Sequence, residues 1–129
     1  MPPIDNLQRV PIYHLEALER QGIFTTGLLL EVSETPTRRQ TLADQISATV
    51  NDVNEWRDEA LLLNLANFGP AEQQLFTQAG ILGLSDLVTL DDGEYEMRLQ
   101  RAARALGTDM PPQLTVDGWM EQAHTLAEE

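Results

Sequence analysis

Two tryptophans hold the same place in a repeated pattern, and this feature constrains the fold most. Val53-x-x-Trp56-x-x-x-Ala60-x-x-Leu63 matches Val116-x-x-Trp119-x-x-x-Ala123-x-x-Leu126 at an offset of 63 residues. Upstream, Leu7, Val10, Leu18, Gly22 and Ile23 match Leu65, Phe68, Phe76, Gly80 and Ile81 at an offset of 58. The difference between the offsets falls in the connector around Met110 to Gln113. The chain therefore reads as two copies of one unit, residues 1–64 and 65–129. Each copy is too small to bury its own apolar face well. The copies are expected to stack into one compact body, with Trp56 and Trp119 as core anchors.

The local pattern predicts helices throughout. Asp5 with Gln8 suggests a capping box over a short helix from Asn6 to Arg9. Apolar Ile12, Leu15 and Leu18 mark a second helix that Gly22 closes, with Glu16 and Arg20 as an i,i+4 pair. Thr25 or Thr26 caps a short helix through Leu28, Leu29 and Val32. Thr35 before Pro36 opens the next, with Leu42, Ala43 and Ile46 inward. Ser47 is the expected N-cap of a long helix from about Ala48 to Leu63. A turn at Phe68-Gly69 follows, and Pro70 suits the first position of the next helix, where its missing N–H costs nothing. Gly80 closes that helix in the left-handed conformation. Asp91 starts a helix to Leu106, with Met97, Leu99, Ala102, Ala103 and Leu106 inward. Thr115 caps the last. No alternating stretch marks a strand.

Composition bounds the chemistry. The chain has no cysteine and no lysine, and 21 acids against eight arginines leave a net charge of −13. Residues 1–64 hold ten acids and five arginines, and residues 65–129 hold eleven and three, so no acidic tail accounts for the charge. Such a surface repels nucleic acid and anionic lipid at long range. The longest apolar runs fall far short of the ~18 residues of a spanning helix. The N-terminus lacks the features of a signal peptide, so a cytoplasmic protein is expected.

The order of motifs carries a resemblance. Leu65 to Ile81 looks like a helix-hairpin-helix, preceded by Leu42-Ala-x-x-Ile46-Ser47 and the Val53/Trp56/Ala60 helix. This order is similar to a bacterial domain-of-unknown-function family built of two tandem helix-hairpin-helix-like units. The resemblance implies an all-α fold of duplicated helix-hairpin-helix (SAM-like) units, and no enzymatic activity. Hairpins of this kind bind DNA through backbone N–H groups at a Gly-x-Gly turn, helped by basic side chains. Here Asn67-Phe68-Gly69 keeps one glycine, Arg9-Val10-Pro11 keeps none, and Glu72 stands after the second turn.

No residue set encodes catalysis. His14 and His124 read as solvated helix residues without a carboxylate partner motif. Asp91-Asp92-Gly93-Glu94 lacks the alternating ligand spacing of a calcium loop and reads as a helix-capping cluster. Neither a nucleophile elbow nor a phosphate-binding glycine loop occurs, and no metal or cofactor is expected. The expected function is that of a non-enzymatic acidic helical adaptor or scaffold that binds another protein. Phe24, Phe68 and Leu82 are its candidate contacts. The alternative is a nucleic-acid-binding module using Asn67, Phe68 and Gly69 with a strip of Arg98, Arg101 and Arg104.

Overall fold

Threonine or aspartate starts four of the eight α-helices, as short polar side chains do when they accept from the exposed N–H groups of a first turn. In the computed structural model, which describes residues 2–128, Thr25 accepts from the Leu28 N–H at 3.1 Å, Thr35 from Arg38 at 3.2 Å and Asp91 from Glu94 at 2.8 Å. Thr49 and Asp52 form a reciprocal capping box. The backbone bond from Thr49 holds the Asp52 carboxyl below its ordinary range.

All the regular structure among the described residues is helical, apart from one isolated bridge between Pro3 and Thr25. A 3-10 turn (Ile4–Asn6) precedes α1 (Ile12–Arg20), α2 (Thr26–Val32), α3 (Pro36–Ile46) and α4 (Val50–Leu63). Then come α5 (Pro70–Gln78), α6 (Leu84–Val88), α7 (Asp92–Leu106) and α8 (Gln113–Ala127). The chain divides into two compact units, Met1–Asn64 and Leu65–Glu129, each with four α-helices.

The units run in register. α1 and α5 both span nine residues. The starts of α1 and α5, and of α2 and α6, are 58 residues apart, and those of α4 and α8 are 63 apart. Both Gly-Ile pairs end a helix in the same way. Gly22 (φ +81°) and Gly80 (φ +78°) adopt the left-handed conformation. Ile23 N–H then reaches Leu18 O at 3.0 Å, and Ile81 N–H reaches Phe76 O at 2.9 Å. These are Schellman caps, in which the buried isoleucine packs back on its own helix.

Each tryptophan is buried and has ring partners within its own unit. Trp56 lies against His14, with ring centroids 5.1 Å apart. Trp119 meets Phe76 and Phe68 edge-on at 5.4 and 5.6 Å, and its Nε1–H donates to Ala66 O at 2.7 Å. Tyr95 ties α7 to α8 by donating to Val116 O at 2.8 Å. Burial pushes the Tyr95 phenol far above its ordinary range.

Several local expectations give way to tertiary contacts. Asp5 caps nothing: Pro3 precedes the 3-10 turn and no helix covers Asn6 to Arg9. Ser47 is not an N-cap but the left-handed end of α3 (φ 57°), and Thr49 starts the next helix. α4 ends at Leu63 as expected, and α8 starts behind Pro112 rather than at Thr115. Ile12 and Met97 face solvent, while His14 and Tyr95 take the inward positions. His14 is therefore buried rather than solvated, because Trp56 offers its ring a partner.

Candidate functional site

Three arginines gather on the C-terminal end of α2, where helical carbonyls lack intrahelical donors. Arg57 donates to Leu30 O at 2.9 Å and to Ser33 Oγ at 2.7 Å, and Arg39 to Ser33 O at 2.9 Å. The Ser33 hydroxyl in turn donates a hydrogen bond to Leu29 O. Arg38 reaches Glu31 O at 3.4 Å and pairs with Glu34. Burial, and then the nearby Arg39 charge, lower the Arg57 pKa. These cations complement the helix dipole and fix α2 in place.

With α2 held there, a groove of about 460 Å³ opens beside it. Its lining includes Ile23, Leu28, Val32 and Leu42, with Glu31 and Arg38 at the rim. Phe24, Leu28 and Val32 recur at i, i+4 and i+8, and are 58%, 38% and 38% exposed. Leu28 and Val32 lie one turn apart on α2, and Phe24 stands just before its Thr25 cap, so these exposed apolar side chains are grouped rather than scattered singly.

Unit 2 places different chemistry at the matching positions. Leu82, at the Phe24 position, is 44% exposed. Asp86 stands where unit 1 has Leu28, and accepts from the Leu82 N–H at 2.9 Å. A hollow of about 460 Å³ between the end of α5 and α7 is lined by Gln78, Ala79, Glu94, Arg98, Arg101, Ala102 and Ala105. Ala79 matches Gln21 at an offset of 58, and Arg98 and Ala102 match Thr41 and Gln45 at 57. Arg98 is held by Glu94 at 3.0 Å, whereas Arg101 and Arg104 are exposed.

The turns that stand for hairpins have their donors filled from within the chain. Glu59, 4% exposed on α4, accepts from the Gln8 and Arg9 N–H groups at 2.8 and 3.0 Å. Burial raises the Glu59 pKa against the pull of those two bonds and of the Arg9 charge. The Arg9 guanidinium lies 3.5 Å from Asp58 and 3.7 Å from Glu55. In unit 2, Gln122 sits at the Glu59 position and accepts from the Ala66 N–H at 3.0 Å. Gly69 N–H is taken by Glu72 at 2.8 Å.

The expected contacts thus separate. Phe24 and Leu82 are exposed on matching positions, but Phe68, only 8% exposed, is a core ring packed on Phe76 and Trp119. Phe68 is withdrawn as a surface contact, because its unit needs a third aromatic to enclose the indole. Asn67 is exposed in the left-handed conformation (φ 60°). The Leu28/Val32 groove was missed in the sequence, although Phe24, Leu28 and Val32 carry its spacing. Among the described residues no group of three or more His, Asp or Glu side chains is placed to hold a metal ion. No helix is long and apolar enough to cross a membrane.

The described residues define an all-helical protein of two four-helix units, each with a groove on its surface. Residues 13–126 match the family described as a domain of unknown function (DUF4332), and the chain belongs to that family. No curated protein and no solved structure matches it.

Proposed function

We propose that this chain is a non-enzymatic adaptor, built of duplicated helix-hairpin-helix units and working in the cytoplasm, whose first unit captures a segment of another protein. The occupant of the α2–α3 groove is an amphipathic helix with an apolar stripe and basic flanks. The observation that carries this reading is the exposed stripe of Phe24, Leu28 and Val32 beside the apolar hollow. A partner helix presents its own apolar residues at i, i+3, i+4 and i+7, a pattern that lays into such a groove. Basic flanks follow from the net charge of −13, which steers a cationic segment inward and rejects an acidic one.

The test is selection from a displayed library of helical peptides, with binding sites mapped by NMR shifts. Peptides of the stated pattern should enrich and perturb α2 and α3. Leu28→Asp, which copies the residue unit 2 already carries at Asp86, should weaken binding at least about tenfold while leaving the melting temperature unchanged. Failure of any basic amphipathic peptide to enrich, or shifts confined to other helices, overturns the reading.

The nucleic-acid alternative keeps only Arg98, Arg101 and Arg104, because Glu59 and Glu72 occupy turn N–H groups that would meet a phosphate. Salt-dependent DNA retention at about 50 mM salt, lost in Arg101→Glu/Arg104→Glu, would favour it over the adaptor.

A further inference from the structure

Unit 2 holds eleven acids and three arginines, and all three arginines fall on one helix, between Arg98 and Arg104 of α7. None of the ion pairs among the described residues uses Arg101 or Arg104. Arg98, paired with Glu94, and Arg101 line the Ala79/Ala102/Ala105 hollow, where small side chains leave room for a long one, and the exposed Arg104 follows one turn further along α7. Across the buried stripe of Tyr95, Leu99 and Ala103, the same helix carries Asp92 and Glu96. At 100° per residue these acids lie on the opposite flank of α7 from Arg98 and Arg101. They face Asp117 and Glu121 of α8 around a second hollow of about 320 Å³, with Val116 and Met120 among its walls.

We infer that the arginine face of α7 docks on the acidic α7–α8 face of a second copy of this chain. Two faces of opposite sign, on different sides of one unit, make a head-to-tail contact rather than a two-fold one. Guanidinium forks suit paired carboxylates, and two free arginines beside Arg98 meet four acids carried at i,i+4 spacing on two helices. A nucleic acid is a poorer occupant, since three arginines neutralise at most three phosphates inside the field of a chain at −13. The repulsion between two copies is long-range, and is screened beyond ~8 Å at physiological ionic strength while contact pairs persist.

Sedimentation velocity of the full chain over a concentration series tests this. The wild-type chain should associate with rising concentration, and the association should vanish near 1 M salt, where the Debye length is ~3 Å. Arg101→Glu/Arg104→Glu and Glu96→Arg/Glu121→Arg should each sediment as monomers. Mixed in equal amounts they should form a 1:1 heterodimer, because each retains the face the other has lost. If circular dichroism shows that a reversed-charge variant has lost helix, Arg101→Gln/Arg104→Gln replaces it, with association at least about tenfold weaker than wild type. A wild-type chain that stays monomeric at every concentration overturns the inference, as does a mixture that stays monomeric. Duplex DNA bound by a monomeric wild type and released by Arg101→Glu/Arg104→Glu assigns the arginines to nucleic acid instead. Every variant leaves the α2–α3 groove intact, so failure here is separate from failure of the adaptor reading.

Discussion

Trp56 and Trp119 sit at one position of the two units, are equally buried, and have different neighbours. Trp119 is enclosed by two phenylalanines and bonds a turn carbonyl. Trp56 has a histidine ring for an aromatic neighbour, and the neighbouring turn is held by a carboxylate instead. The difference teaches that the frame of each unit depends on which positions are filled by bulk, and less on the chemistry that fills them. Val10 and Phe68 are equally buried at matching positions, as are Leu18 and Phe76. The grooves face water, where no such constraint operates, and there the units differ: one is lined largely by apolar side chains and the other carries Arg98 and Arg101 beside Glu94.

The largest expected effect tests the tryptophans. Trp119→Ala and Trp56→Ala should each cost roughly 3 to 5 kcal/mol in urea unfolding, from lost transfer energy and the cavity left behind. Trp119→Ala should sit at the upper end, since it also orphans Ala66 O. Nearly equal losses would mean that the aromatic box adds nothing over the histidine.

Next come the residues that hold the turns. Glu59→Ala leaves two N–H groups without a partner and should cost about 2 to 3 kcal/mol, while Gln122→Ala releases one exposed N–H and should cost about 1 kcal/mol. Glu59→Gln keeps an acceptor, as Gln122 does, and should be closer to wild type than Glu59→Ala. It should also change the pH profile. Because burial raises the folded pKa of Glu59, the folded chain holds that proton more tightly than the unfolded chain. The contribution of this group is then full below the ordinary glutamate value of 4.5, and is lost as pH rises through the raised folded value. Glu59→Gln should flatten that decline in a series of melts, and an unchanged slope would place the titration elsewhere.

The smallest effect tests symmetry. Gly22→Ala and Gly80→Ala force a side chain into the left-handed region and should each cost about 1 kcal/mol. A new Cβ meets nothing within 4 Å at Gly22, and only Arg98 Nη1 at 3.7 Å at Gly80, so the two costs should agree. Unequal melting shifts would show that one cap carries more of its unit than the other.

Helix starts and stops were legible where the signal is local. Thr35-Pro36, Pro70, Asp91 and Gly80 act as read, because a cap depends on the few residues around it. Ser47 misled for an equally local reason: a small polar residue suits an N-cap and a left-handed C-cap alike, and Thr49 with Asp52 makes the stronger start. Phe24 and Leu82 were readable as exposed candidates because each follows a Gly-Ile cap at the same offset. Phe68 was not, since a turn aromatic points inward only when an indole waits for it. The bonds from Gln8 and Arg9 to Glu59 span about fifty residues, and no short window contains both ends.

The order of amino acids alone determined an all-helical chain, the match between its two halves and the capping glycines. Those properties follow from short-range sterics and from periodicity, which a linear string records directly. Tertiary structure decided which rings share a core, that His14 and Glu59 lie inside, and that one groove is apolar while its counterpart carries arginines. These depend on residues far apart in the chain meeting in space, where burial and hydrogen bonding, rather than local propensity, set the outcome.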